Sequence, residues 1–185
     1  MTSAGTIWNV VLVCRSSESN QMKTLLLLRH AKSSWKDTSL TDFDRPLNKR
    51  GIEAARLIGK YTHKRNIQAD LAISSPAERA RQTAELVMKS ARLQVELRFD
   101  PRIYEAGVRR LLEVVSQIED SANTVMLVGH NPGFEGLFEA LTGEKRNLPT
   151  ASLACIELGV EKWSKVRAGV GHLKWLVTPK ELKLD

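Results

Sequence analysis

The chain has 185 residues, of which 42% are hydrophobic and 26% charged, and its formal net charge is +7. These values fit one globular domain and exclude a disordered or fibrous chain, and the apolar runs Val10–Cys14 and Leu25–Leu28 are far too short to span a bilayer. Because the basic residues are scattered and aromatics make up only 5%, we expect the charge to favour anionic substrates, with no nucleic acid and no membrane as partners.

Residues 1–21 are predicted to be an extension outside the domain. They have no basic residues ahead of a short, interrupted apolar run, which disfavours a signal peptide, so we expect a cytoplasmic protein. The two cysteines, Cys14 and Cys155, agree, because secreted disulfide frameworks use more of them. The extension is either the product of an upstream start codon, with the domain at 22–185 beginning at Met22, or an added edge strand at Trp8–Val13. We favour the first.

From Met22 onward, buried strands are predicted to alternate with amphipathic helices. Short apolar runs indicate strands, and apolar residues at helical spacing indicate helices. The predicted elements, in chain order, are strand Lys23–Arg29, helix Arg50–Lys64, strand Leu71–Ser74, a helix opened by Pro76, strand Val95–Phe99, helix Val108–Ile118, strand Thr124–Val128, a helix capped by Asn131 from Pro132 to about Leu141, and strands Ser152–Leu158 and Leu173–Val177. This alternation predicts an α/β fold, a single three-layer domain whose mostly parallel central sheet has helices on both faces.

Groups able to carry out chemistry follow three of these strands. Arg29 and His30 end the first strand, Arg79 comes shortly after the second, and His130 follows the fourth. Ligand sites in such sheets lie beyond the carboxyl ends of the strands, at the point where the strand order reverses. We therefore expect these four side chains to meet at one edge of the sheet.

Two arginines and two histidines together suit the transfer of a phosphoryl group. The guanidinium fork matches phosphoryl oxygens and stays charged. A neutral imidazole is a competent nucleophile, since its ordinary pKa is ~6.5. A second imidazole, protonated by the neighbouring anion, can donate to a phosphoryl oxygen, and the helix start after His130 adds backbone N–H groups. These groups can neutralise the charge without a metal or other cofactor, so we expect none.

At this point the sequence resembles a known family. Residues 28–35, Leu-Arg-His-Ala-Lys-Ser-Ser-Trp, resemble the Arg-His-Gly signature of the histidine phosphatase superfamily. Residues 74–84 resemble its second motif, with the phosphate-binding arginine at Arg79, and residues 128–130 resemble its late second histidine. The motif order and the short chain are similar to the SixA-type phosphohistidine phosphatases in particular. The resemblance runs from about Met22 to the C-terminus and implies a phosphoglycerate mutase-like fold.

The resemblance implies that His30 accepts the phosphoryl group, that Arg29, Arg79 and His130 form the phosphate pocket, and that water then hydrolyses the phosphohistidine. The implied substrate is phosphohistidine on a phosphotransfer protein, and the alternative is a small phosphomonoester. Two less favoured hypotheses are a phosphate sensor without activity and a nucleic-acid-binding protein. The oligomeric state stays open.

Several positions depart from the family pattern or leave a choice. Ala31 stands where most of the superfamily has Gly, and Lys36 stands where the family often has a phosphate-binding Asn, so Lys36 either contacts phosphate or, as we slightly favour, faces solvent. Glu105 lies near the family's position for the general acid and is equally compatible with a surface carboxylate. Arg81 competes with Arg79, and because a two-residue step on a helix turns side chains to different faces, only one of them should face the site.

The segment Asp42–Leu47 precedes the first predicted helix. Its two acidic residues are compatible with metal ligation, but such carboxylates more often cap a loop. Arg45 is a weaker candidate for the border of the substrate mouth.

Overall fold

The computed structural model describes residues 22–183, so the predicted extension lies outside the described residues. The strands in this part of the chain are β1 Lys23–Arg29, β2 Leu71–Ser74, β3 Glu96–Phe99, β4 Thr124–Gly129, β5 Leu153–Leu158 and β6 Gly171–Val177. They form one sheet in the order β3-β2-β4-β1-β5-β6. The first four strands in that order run parallel, and β5 and β6 are antiparallel to their neighbours.

Helices cover both faces of this sheet. The α-helices of the described chain are α1 Lys49–Lys64, α2 Glu78–Ala91, α3 Val108–Ser116 and α4 Gly133–Thr142. Successive side chains of a strand point to opposite faces, and β1 shows the result. Leu25 and Leu27 pack with the apolar residues of α3 and α4, whereas Leu26 and Leu28 pack with those of α1 and α2. The predicted three-layer α/β domain with a mostly parallel sheet is confirmed.

Most predicted elements are present with bounds within a few residues. The two buried strands β1 and β2 have the bounds that their apolar runs predict. Helix α1 starts one residue earlier than predicted because Asn48 caps it, its side chain accepting from the Gly51 N–H at 2.9 Å. Among residues 22–183, no helix combines the length and the apolar character needed to cross a bilayer.

Two predicted helix starts are wrong. Asn131 does not cap α4, because its side-chain amide donates instead to the Leu148 carbonyl at 3.1 Å, and α4 begins at Gly133 after a cis peptide to Pro132. Pro76 does not open α2, which begins at Glu78, whose N–H donates to the Phe43 carbonyl at 3.0 Å. In both places a contact with a distant segment replaces the local capping pattern.

The sheet order brings the carboxyl ends of β2, β4 and β1 side by side. Backbone pairing continues just past the strands, with the His30 N–H donating to Gly129 O and the Ser75 N–H to Val128 O, both at 2.9 Å. The start of α1 also packs against the segment after His30, since a Cβ at Gly51 would lie 2.2 Å from the Lys32 carbonyl oxygen. The edge that carries the predicted site residues is therefore fixed by main-chain contacts.

Candidate active site

His30 is held in a form suited to nucleophilic attack. Its Nδ1 lies 2.8 Å from the Ala31 carbonyl oxygen. Because a carbonyl only accepts, Nδ1 carries the proton and Nε2 keeps its lone pair. Burial, together with the positive charges of nearby arginines, lowers the pKa of His30 to about 4, although the Ala31 hydrogen bond acts in the opposite direction. The imidazole is therefore neutral at physiological pH.

The backbone after His30 is anchored to α2. The Ala31 N–H donates to the Thr83 hydroxyl at 2.9 Å, and that hydroxyl donates to the Arg79 carbonyl at 2.6 Å. Ala31 is fully buried, and it is not one of the non-glycine residues in the described chain that have a positive φ. Its backbone therefore does not need the conformational freedom of glycine, which explains how alanine fits at this position.

Arg79 and Arg81 occupy different environments, although they lie on the same helix. Arg79 is only 6% exposed, and its two Nη atoms donate to the main-chain oxygen and the carboxylate of Asp42, the latter at 2.8 Å. Arg81 instead forms ion pairs with Glu78 at 2.6 Å and Glu85 at 3.2 Å on the helix surface. Of the two candidates, it is Arg79 that lines the pocket.

His130 lies beside His30, with 4.9 Å between the ring centroids. Its Nε2 is 2.8 Å from the buried Ser75 hydroxyl, and its Nδ1 is buried without a partner. Burial, together with the proximity of His30 and Arg79, lowers the pKa of His130 to about 3. The substrate-free imidazole is therefore neutral, and the proton that we predicted for it requires a bound anion.

Unpaired polar atoms concentrate at this edge of the sheet. Arg29 donates from Nη1 to the Leu148 carbonyl at 2.6 Å, but its Nε is buried without a partner. The buried side-chain N and O atoms that lack a protein partner in residues 22–183 are Arg29 Nε, Arg79 Nε, His130 Nδ1, Asn131 Oδ1 and Ser152 Oγ. Buried polar groups are normally hydrogen-bonded, so the donors in this cluster are available to a bound ligand or to water. The arginine N–H groups suit an anion with several oxygen acceptors, such as a phosphoryl group.

The remaining predicted residues, Glu105 and Lys36, lie in different surroundings. Glu105 is exposed but borders a cavity of about 690 Å³ that Arg79 and His130 also line. Its φ is 50°, an uncommon conformation for a residue with a side chain. Lys36 is exposed, and no hydrogen bond or ion pair within the described chain joins its ammonium group to the other predicted residues.

Asp42 and Tyr104 belong to the site but were not predicted from the sequence. The Asp42 carboxylate accepts from Arg45, from Arg79 and from the Tyr104 hydroxyl at 3.0 Å. Burial would raise the pKa of Asp42, but hydrogen bonds from Arg45 and Tyr104 and the charge of Arg79 lower it to about 2. The one local signal was the three-residue spacing of Asp42 and Arg45 ahead of a helix, which also fits simple loop capping.

Comparison with known proteins identifies relatives of this chain. A model of the histidine phosphatase superfamily (branch 1) matches residues 25–111, a range that includes His30 and Arg79 and ends before His130. An uncharacterised chloroplastic protein of Arabidopsis thaliana is 31% identical over 173 residues, which cover 86% of this chain and 78% of the plant protein.

Solved structures share the fold. The "putative phosphohistidine phosphatase SixA" from Agrobacterium tumefaciens matches with a TM-score of 0.73 and 29% identity, over 85% of this chain and 98% of that one. A phosphoglycerate mutase from Bacillus anthracis matches with a TM-score of 0.61 and 18% identity, over 89% of this chain and 97% of that one. The second likeness concerns the fold alone.

Proposed function

The chain belongs to the histidine phosphatase superfamily, in its SixA-type branch, and on that premise we propose that it hydrolyses phosphohistidine on a partner protein through a covalent phosphoryl intermediate on His30. The observation that carries the proposal is the state of His30. It is neutral, its Nδ1 is held by a carbonyl, and it lies next to buried donors that lack partners.

In the first step the lone pair of His30 Nε2 attacks phosphorus. A P–N bond forms to His30, and the bond between phosphorus and the substrate's leaving group breaks with its electron pair going to that group. A substrate imidazole whose second nitrogen carries a proton leaves as neutral imidazole. Such a leaving group needs no proton from the enzyme, which distinguishes phosphohistidine from a phosphoester.

The charge on the phosphoryl oxygens is met by Arg29, Arg79 and His130. Both arginines have a buried Nε with a hydrogen to donate, and His130 has a buried Nδ1 without a partner. An anion beside His130 opposes the effects that lower the pKa of this histidine, so substrate binding favours the protonated, donating form. Donors already in position do not have to reorganise during the reaction.

In the second step water attacks the phosphorus of phosphorylated His30. The new P–O bond replaces the P–N bond, the electron pair returns to Nε2, and inorganic phosphate leaves with the hydrogens of the water molecule. The neutral His30 needed for the next cycle is the form that its low pKa favours.

A protein substrate is supported by the size of the chain relative to a SixA protein and by the side chains that border the site. The chain spans 98% of the Agrobacterium SixA chain, so the two proteins have a similar compact size. Trp35 is 73% exposed and stacks on Arg45, which reaches the Asp42 carboxylate at the pocket. An exposed aromatic ring and a net charge of +7 both suit an acidic protein surface.

A small phosphomonoester is the second candidate, and Glu105 is the observation that favours it. An ester leaves as an alkoxide and needs a proton, which a carboxylic acid in the pocket can supply. Glu105 borders the cavity shared by Arg79 and His130. Its uncommon backbone conformation is the kind of local strain that often accompanies a functional position.

The test is phosphate release from a phosphohistidine-bearing phosphotransfer domain and from p-nitrophenyl phosphate, with a chelator present. We expect wild-type protein to dephosphorylate the domain and His30→Ala to lose the activity. The matched control is His63→Ala, because His63 is an exposed histidine on α1. Rapid quenching with labelled substrate, followed by peptide mapping, should locate the label on His30.

The outcomes separate the two substrate classes. Turnover of the ester alone would keep the His30 chemistry and move the substrate to small molecules. Failure to release phosphate from either substrate, with no label on His30, would refute the catalytic proposal. Equal activity of His30→Ala and wild type would refute His30 as the nucleophile.

A further inference from the structure

Asp42 joins three segments that lead from different strands to the active site. Its Oδ1 accepts from Nε of Arg45 at 3.1 Å and from Nη2 of the same residue at 2.5 Å. Its Oδ2 accepts from Nη2 of Arg79 at 2.8 Å and from the Tyr104 hydroxyl at 3.0 Å. Arg45 precedes α1, Arg79 lies in the first turn of α2, and Tyr104 follows β3. One carboxylate therefore fixes two arginines and a tyrosine relative to each other.

The contacts of Asp42 use one particular edge of Arg79. A guanidinium can form paired hydrogen bonds through its two Nη atoms or through Nε and one Nη. Asp42 takes the first edge, with its main-chain oxygen on Nη1 and its carboxylate on Nη2. The Nε of Arg79 is buried and has no partner. Asp42 thus holds Arg79 from one side and leaves the Nε side for another acceptor.

The charge of Asp42 also matters, because cations crowd this site. Arg79, Arg29 and Arg45 all act to lower the pKa of His30. Arg45 and Arg79 are each 6% exposed, so their charges are poorly screened by water. The Asp42 side chain is 43% exposed and borders the cavity, so its negative charge lies beside Arg45 and Arg79 at the edge of the site.

We propose that Asp42 is a positioning residue that fixes Arg79 in the orientation needed to bind a phosphoryl group. The inference deepens the proposed function and rests on it, because the anion that Arg79 would bind is the phosphoryl group of the substrate. In this proposal Asp42 affects phosphate binding through Arg79, so that effect should vanish when Arg79 can no longer make the paired contact.

The experiment measures calorimetric binding of inorganic phosphate to wild type, Asp42→Asn, Arg79→Lys and the double variant. We expect Asp42→Asn to bind phosphate about tenfold more weakly than wild type, since hydrogen bonds to charged groups have effects of this size. In the Arg79→Lys background, Asp42→Asn should cause no further loss, because lysine lacks the fork that Asp42 orients. Asp42→Glu, which keeps the charge, should lose less than Asp42→Asn.

Asp44→Asn is the matched control, because Asp44 lies in the same loop and accepts from the Thr41 hydroxyl at 2.6 Å without contacting an arginine. It should bind phosphate like wild type, and the thermal midpoints of all variants report whether they fold. Unchanged or tighter binding by Asp42→Asn would overturn the proposal. An equal loss in the Arg79→Lys background would also overturn it.

Activity separates this proposal from the function on which it rests. If phosphate binding follows the expected pattern but no phosphorylated substrate is hydrolysed, Asp42 positions Arg79 and the catalytic proposal fails. If wild type hydrolyses phosphohistidine and Asp42→Asn matches it in both binding and turnover, the catalytic proposal stands and the positioning role fails.

Discussion

The imidazole rings of His30 and His130 lie 4.9 Å apart at an interplanar angle of 50°, at the ends of two neighbouring parallel strands. Each ring also contacts a different partner, the Ala31 carbonyl for His30 and the Ser75 hydroxyl for His130. Burial is the main cause that disfavours protonation of both rings, and nearby arginines and, for His130, the proximity of His30 add to it. The pair is therefore neutral until an anion arrives.

The first prediction is that both rings stay unprotonated in phosphate-free buffer down to about pH 5. The pKa values of about 4 for His30 and about 3 for His130 lie well below the ordinary value. Nuclear magnetic resonance of 15N-labelled histidine over pH 4–8 would follow each ring, with the exposed His63 and His172 for comparison. Saturating phosphate should raise the pKa of His130, and protonation of either ring near pH 6.5 without phosphate would contradict the prediction.

The second prediction is that the protein loses stability as the pH falls from about 6.5 to about 4. In the folded state both histidines have a lowered pKa, so the unfolded chain binds more protons in this window. The free energy of unfolding therefore rises with pH across the window and levels off above it. Asp42 contributes in the same direction but at lower pH, since its pKa is lowered to about 2 in the folded protein and its contribution is lost as the pH falls through that value.

Denaturant unfolding in phosphate-free buffer at pH 7 and pH 5 measures this effect. His30→Gln combined with His130→Gln should reduce the difference between the two pH values, because neutral side chains then replace both groups. His63→Ala should leave the difference unchanged. A pH dependence equal in wild type and the double variant would assign it to other groups.

Much of this architecture could be predicted from the sequence, because its buried strands are continuous apolar runs. The run Lys23–Arg29 is an example, since Leu25 and Leu27 face one core and Leu26 and Leu28 the other. The placement of Arg29, His30 and His130 followed from the same logic, because the carboxyl ends of parallel strands share an edge.

The features that sequence reasoning missed depend on contacts between distant segments. Asp42 meets Arg79 across 37 positions and Tyr104 across 62, so no short pattern contains the cluster. Asn131 carries a strong local capping signal, but its amide binds the carbonyl of Leu148. In both cases the tertiary partner decides the role of a polar side chain, and that partner is not visible in the local sequence.

The third prediction compares two arginines on one helix. Arg79→Lys should lower kcat/KM for either substrate about 100-fold, because a lysine lacks the second donor of the fork and removing one such donor from a transition-state site costs about 10²–10³. Arg81→Lys should remain within about twofold of wild type, since Arg81 forms exposed ion pairs with Glu78 and Glu85 and these contribute little. Steady-state kinetics of both variants is the measurement, and similar losses in the two would contradict the assignment of Arg79.

The fourth prediction uses Glu105 to separate the leaving groups. Glu105→Gln keeps the size of the side chain and removes its proton-donating ability. If Glu105 protonates an alkoxide, hydrolysis of p-nitrophenyl phosphate understates its role, because nitrophenolate leaves readily. An alkyl phosphate should show the larger effect, about 10²–10⁴ in kcat. Phosphohistidine hydrolysis should change only a few-fold, since neutral imidazole leaves without a proton.

Glu113→Gln provides the control for the Glu105 experiment, because Glu113 is a carboxylate of α3 whose contacts are surface ion pairs with Arg109 and Arg110. This variant should hydrolyse p-nitrophenyl phosphate, the alkyl phosphate and phosphohistidine at the wild-type rates. A parallel loss on alkyl phosphate and phosphohistidine in Glu105→Gln would point to a role in binding or in activating the attacking water. An unchanged rate of alkyl phosphate hydrolysis would show that Glu105 is not the general acid. The phosphomonoester hypothesis would then be much weaker than the phosphohistidine hypothesis.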